Sequence, residues 1–205
     1  GVALNTMDWG RVSNTPPFRN RATTSDWVAN DVGGSLYLDD NMIIDFHMAE
    51  FYFASSSNYD LDTRGHNLGL NCYLSINQSY GGSGYSVTCN LLSDLNHVLL
   101  YVFQGTFASN GHEINGQAID GAAANYMWIR NASVADFSNS VVTAGHLNIT
   151  ETASIIDDNA HITVSQEFSA IGQDFNHVAI IDTVTMSVGS TGPNTFQTLE
   201  LLPDR

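Results

Sequence analysis

The sequence predicts an all-β protein: an antiparallel β-sandwich or barrel with an extended N-terminal arm. Three observations predict it. Apolar and polar residues alternate over many short segments, as side chains alternate across a strand. Clusters of Asn, Asp and Gly separate these segments at short spacing. Helical composition is confined to Asp120 to Arg130, around Ala122-Ala123-Ala124.

The 205 residues fit one domain, since sandwiches and barrels commonly reach this length undivided. Hydrophobic residues make up 43%, enough for a core, and charged residues only 13%, so the polar surface is built from Ser, Thr, Asn and Gly. The formal charge is −15, and all six basic residues are Arg. Nucleic acid is therefore excluded as a partner, because a phosphate backbone needs clustered Lys and Arg. No apolar run is long enough to span a bilayer, so membrane insertion is not expected. The start at Gly1 reads as a mature, exported chain, which predicts an extracellular or cell-surface location.

Residues 1–33 read as an arm and linker. Val2 and Leu4 share one face, Met7 and Trp9 follow a slip, and Pro16-Pro17 interrupts regular structure. Residues 34–205 read as a single β domain. Ser35 to Leu38 and Met42 to Phe53 flank Asp39-Asp40-Asn41, a hairpin signature, and the phase slips between Met48 and Phe51. His97 to Phe107 is apolar on both faces, as a central strand is. Leu147 and Ile149 precede a turn at Asp157-Asp158-Asn159, and Ile162, Val164 and Phe168 follow it. Val178 to Val188 makes another long strand, and Thr195 to Leu202 the last. Asp94-Leu95-Asn96-His97-Val98 is echoed by Asp174-Phe175-Asn176-His177-Val178, read as one Asx turn opening two strands. A single echo falls short of the three repeats a solenoid needs.

Cys72 and Cys89 sit on two alternating segments, Leu70 to Asn77 and Tyr85 to Leu91, joined by the Gly-rich stretch Ser79 to Gly84. Paired as a hairpin, Leu74 faces Val87 and Ile76 faces Tyr85, with the cysteines opposed. Opposed Cβ atoms lie roughly 4.5–5.5 Å apart, close to disulfide geometry. A Cys72–Cys89 disulfide is expected in an exported chain, and two buried thiols in a cytosolic one.

No nucleophile elbow, zincin, Walker or dinucleotide fingerprint is present, so neither enzyme activity nor a cofactor is expected. The seven histidines are scattered, with His47 and His161 on polar faces, and no metal site is predicted. Asp182 interrupts an apolar face, where a carboxylate needs a partner. Asp39-Asp40-Asn41, Asp60-x-Asp62 and Asp157-Asp158-Asn159 offer oxygen ligands for calcium without matching an EF-hand, and read first as acidic turns. Asn77, Asn131 and Asn148 lie in glycosylation sequons.

The arm, Gly1 to Val12, resembles the donor strand of bacterial pilus-type subunits that assemble by donor-strand complementation. The resemblance implies a structural subunit polymerising with itself head to tail, with Val2, Leu4, Met7 and Trp9 entering a neighbouring copy. The chain departs from chaperone–usher pilins at Leu199 to Arg205, which lacks their apolar-aromatic closing strand. The alternative is a secreted carbohydrate-binding module, with calcium as a candidate aid to binding and Trp9, Trp27, Trp128, Tyr59 and Tyr80 as stacking faces. An enzyme would need a carboxylate pair, for which Glu50 and Glu113 are the nominal candidates.

Overall fold

The structure, a computed structural model, describes residues 3–4, 7–8, 18–19, 28–40, 44–45, 49–68, 72–78, 84–96, 99–116, 126–181, 185–188 and 193–203. Among them there is no helix. The strands are β1 (Ala3–Leu4), β2 (Met7–Asp8), β3 (Phe18–Arg19), β4 (Val28–Val32), β5 (Leu36–Tyr37), β6 (Ile44–Asp45), β7 (Ala49–Phe53), β8 (Tyr59–Asp62), β9 (Cys72–Ile76), β10 (Thr88–Leu91) and β11 (Leu95–Asn96). They continue with β12 (Leu99–Val102), β13 (Thr106–Ala108), β14 (Ile114–Gly116), β15 (Tyr126–Ile129), β16 (Val134–Asp136), β17 (Val141–Ile149), β18 (Ser154–Ile156), β19 (His161–Ala170), β20 (Asp174–Ile181), β21 (Thr185–Val188) and β22 (Thr195–Leu202).

All of these strands pair in parallel, and those inside the sheets pair with strands of the coil before and the coil after. One sheet runs β1-β4-β7-β9-β12-β15-β17-β19-β20-β22, and a second runs β18-β16-β13-β10-β8-β5-β2. The chain alternates between them, so each circuit adds one rung to a β-solenoid. The long strand β17 turns a further corner: Val142 to Ala144 pair with β14, and His146 to Ile149 with β15. The register shifts there, between Ala144 and His146. Partners one rung apart lie 16 to 31 residues apart in sequence.

This overturns the antiparallel sandwich or barrel. The all-β composition stands, but the pairing does not. Alternation usually marks an antiparallel sheet with one wet face, whereas parallel strands are usually buried on both sides. In a solenoid each strand has one face in the lumen and one in water. It therefore alternates although it is parallel, and the sequence pattern cannot separate the two cases. The rejection of a solenoid is corrected for the same reason: the repeat is carried by position and not by residue identity.

Inward residues stack in columns. Phe51, Leu74, Leu100, Met127, Leu147 and Phe168 form one, and Phe53, Ile76, Val102, Ile129, Ile149 and Ala170 another. All are buried. Burying one such large side chain stabilises by about 1.5–3 kcal/mol, so the columns are the main cohesive term.

The corners between sheets are made by residues in the left-handed region: Asn77, Asn110, Asn131, Asn139 and Asn159 have φ between 53° and 60°. Asn tolerates this region better than most residues. Here it also ties rungs together. Asn77 Nδ2 donates to Val87 O (2.9 Å) and Gln104 O (2.7 Å), and Asn110 Nδ2 to Leu91 O (3.1 Å). Buried Ser109 and Ser140 share a hydroxyl–hydroxyl bond of 2.7 Å across one rung. The sequence echo has the same purpose. Asn96 Nδ2 donates back to Gly65 O (2.8 Å) and Asn176 Nδ2 back to Asp157 O (3.1 Å). Asp94 Oδ1 accepts from Glu113 N (3.0 Å) ahead of it, and Asp174 Oδ1 from Thr195 Oγ1. Each Asp–Asn unit thus fastens three rungs.

Several local expectations change with the pairing. The hairpin at Asp39-Asp40-Asn41 is not formed: β5 pairs with β2 and β8, and β7 with β4 and β9. The Cys72–Cys89 hairpin is also replaced. Only the base of its loop closes, through the Gln78–Gly84 bridge and Tyr85 N to Asn77 O (3.0 Å). Cys72 pairs with Ala49 in one sheet, and Cys89 with Tyr59 and Phe107 in the other. Both are buried thiols. Burial pushes both thiols well above their usual pKa. The one segment of helical composition, Asp120 to Arg130, is a strand where it is described, at Tyr126–Ile129.

In the arm, Ala3 and Leu4 pair with Asp31 and Val32, and Met7 and Asp8 with Leu36 and Tyr37, all within the same chain. Val2, Trp9, Trp27, His47, Tyr80, His97 and Asp182 lie outside the described residues.

A candidate ligand-binding face

The outer side of β7, β9, β12 and β15 carries an unusual density of aromatic side chains. Strand alternation puts them there: the inward columns take Leu74 and Ile76, leaving Tyr73 and Ser75 outward. The same parity sends Tyr101 outward from β12, and Tyr126 and Trp128 outward from β15. Neighbouring rungs are roughly 4.8 Å apart, so the rings meet. Tyr73 and Tyr101 centroids are 5.9 Å apart with planes at 52°, and Tyr101 meets Trp128 edge-on at 4.9 Å and 73°. Tyr126 lies 6.2 Å from Trp128 and stacks on His146 at 4.1 Å. His146 Nδ1 is 3.1 Å from Glu167 Oε2.

Beside this row lies a cavity of about 390 Å³, lined by Glu50, Tyr73, Ser75, Gln78, Tyr101, Phe103 and Arg130. Its size is in the range of small-molecule sites. Ser75 Oγ donates to Glu50 Oε1 (2.9 Å), which holds the carboxylate in place. Burial, reinforced by Glu50, raises the Tyr73 pKa. Tyr101 is pushed up to about 12 by burial first, then by Tyr73, with Arg130 opposing. Both phenols therefore stay neutral hydrogen-bonding groups at physiological pH. The exposed Arg130 guanidinium sits 5.2 Å from the centre of the Trp128 ring, a cation–π geometry. The cavity thus has a hydrogen-bond acceptor at one end, a donor at the other, and aromatic surface between.

Of the sequence-nominated stacking residues that are described, Trp128 lies on this face. Tyr59 is instead a core residue, stacked on Phe53 at 5.6 Å, and its hydroxyl accepts from Asn77 N (3.2 Å). Glu50 lines the cavity, whereas Glu113 is exposed on a different turn and forms no pair with it. Sequence reasoning missed Tyr73, Tyr101, Tyr126 and Arg130. A usable signal existed: Tyr73-x-Ser75-x-Asn77, Leu99-x-Tyr101-x-Phe103 and Tyr126-x-Trp128-x-Arg130 share one spacing ahead of each corner.

The acidic turns are already engaged. Asp60 accepts from Tyr37 Oη (2.7 Å) and Asn90 Nδ2 (3.2 Å). Asp62 accepts from Arg64 N (3.0 Å), and its other oxygen lies 3.3 Å from Arg64 Nε. Asp157 accepts from Asn176 N (2.7 Å). Among the described residues no group of three or more His, Cys, Asp or Glu could hold a metal ion. Of the sequons, Asn77 is fully buried with its amide hydrogens engaged, while Asn131 is exposed.

Comparison with models of protein families, with curated proteins and with solved structures finds no match. The functional reading therefore rests on the geometry of this face.

Proposed function

We propose that the protein is a carbohydrate-binding solenoid that works outside the cell or at its surface, with the outer face of β7, β9, β12 and β15 as its binding site. The observation that carries this reading is the Tyr73–Tyr101–Trp128 row beside a cavity with Glu50, Ser75, Gln78 and Arg130. Aromatic rings present apolar faces with polar edges, which suit the C–H faces and hydroxyl rims of sugars. Fixed polar groups at a few points supply orientation. Binding without catalysis is favoured because Glu50 is the single carboxylate among the described residues of the cavity lining. Glu167, on the same face, lies five rung steps from it, roughly 24 Å, against the roughly 5–9.5 Å that glycoside hydrolysis needs. Electrophoresis through gels containing soluble polysaccharides tests the reading. The intact protein is retarded by at least one of them, and Trp128→Ala removes the retardation. Equal mobility in every gel refutes it.

Self-assembly into a filament is a second reading, favoured by the last rung. Leu199 and Leu201 pair with buried Val178 and Ile180 and continue their columns, yet are 42% and 74% exposed. Such leucines call for another rung over them, which in this reading a second copy supplies. The donor-strand version requires β1 and β2 to leave their own chain first. Sedimentation of the protein beside Leu201→Asp tests the reading: association lost in the variant supports it, and a monomer in both cases ends it.

A further inference from the structure

We infer that the face takes a single soluble strand of a neutral glycan, running obliquely across the rungs and covering three sugars. The inference rests on the carbohydrate reading above and adds the class and the pose of the ligand.

Three observations carry it. The cavity lining runs from Glu50 on β7, through β9 and β12, to Arg130 just after β15. That is three rung steps, roughly 14 Å along the axis, and four residues along the strand direction, because Tyr126 and not Arg130 stands in register with Glu50. A pyranose in an extended chain is about as long as one rung is tall, so Glu50 and Arg130 reach different sugars of one strand. The rings do not share a plane: Tyr101 is turned 52° from Tyr73 and 73° from Trp128. Coplanar rings would fit the flat face of a crystalline polysaccharide. Turned rings fit successive sugars that are themselves turned about the chain.

Charge selects against ionised sugars. Glu50 and Arg130 have opposite signs at opposite ends, so a uniformly charged chain meets one repulsive contact. The net charge of −15 adds a long-range field against polyanions. Hydroxyl groups satisfy both ends, donating to Glu50 and accepting from Arg130.

The test is calorimetric titration with neutral oligomers of glucose, N-acetylglucosamine, xylose and mannose, each from one to six sugars, with retention on crystalline cellulose and chitin measured alongside. For the sugar that binds, affinity rises to three units and then levels. Arg130→Gln lowers the three-sugar affinity about tenfold or more, and by more than it lowers the single-sugar affinity. Glu50→Gln weakens both. Levelling at one sugar, an equal effect of Arg130→Gln on all lengths, or strong retention on the crystalline particles overturns the pose with the carbohydrate reading intact. Binding of no oligomer and no particle overturns the carbohydrate reading and this inference with it.

Discussion

Replacing Asn77 separates the two contributions that its corner makes to stability. The side chain is fully buried, and its Nδ2 donates to Val87 O at 2.9 Å and to Gln104 O at 2.7 Å, one bond within the loop and one to the next rung. Each is worth about 1 kcal/mol net, so losing both costs roughly 2 kcal/mol. Its φ of 60° adds a second term. Alanine in the left-handed region costs about 1–2 kcal/mol more, whereas glycine is at ease there. Asn77→Ala should therefore lose roughly 3–4 kcal/mol and Asn77→Gly roughly 2 kcal/mol. Urea unfolding followed by far-UV circular dichroism measures both, with unchanged slopes as the condition for comparison. If Gly is as destabilising as Ala, the backbone term is absent. If Ala costs less than about 1 kcal/mol, the inter-rung bonds do not hold the corner.

Other perturbations follow from the same geometry. Gly105 has φ 62°, and an added Cβ would meet Val87 O at 2.3 Å and Val87 N at 2.7 Å; Gly105→Ala should cost about 3 kcal/mol or prevent folding. At Gly84 the atoms nearest an added Cβ all belong to the Gln104 side chain, which can swing away, so Gly84→Ala in the same urea assay should be mild. The pKa of Asp157 is raised above 3.8, by burial first, with bonds from Asn176 opposing. The folded state therefore keeps that proton longer than the unfolded state, and stability falls as pH rises from 3.8 through the folded pKa. Asp157→Asn removes this part of the slope, read from urea midpoints across the acid range; an unchanged slope contradicts the assignment. The raised thiols of Cys72 and Cys89 should resist a thiol reagent in the native protein and react after unfolding. Rapid native labelling would contradict their burial.

The sequence made the strands legible and their partners illegible. Thr195 to Leu202 is a strand over the whole expected span, and the turn at Asp157-Asp158-Asn159 stands. Pairing failed because Leu74 and Ile76 alternate with Tyr73 and Ser75 in the same way whether the neighbour is antiparallel or parallel. The corner asparagines misled for a related reason. A left-handed Asn supports a hairpin turn, and equally a corner that carries the chain to the next sheet. The equivalence of Asn139 and Asn159 was visible at a 20-residue spacing, but longer rungs elsewhere break the period. For the binding face, Trp128 and Glu50 were named from residue type alone. Tyr73 and Tyr101 were not, because only stacking of rungs brings residues 28 positions apart into ring contact.

The most direct measurement uses Trp128 as its own reporter. The chain has three tryptophans, so changing Trp9 and Trp27 to Phe leaves Trp128 as the sole indole, packed between Tyr101 and Arg130. Titration of this variant with soluble neutral polysaccharides should give a saturable change in indole emission, and Tyr101→Ala or Glu50→Gln should weaken it. Emission unchanged by every glycan, or a change indifferent to both substitutions, would contradict the assignment of this face as the binding site.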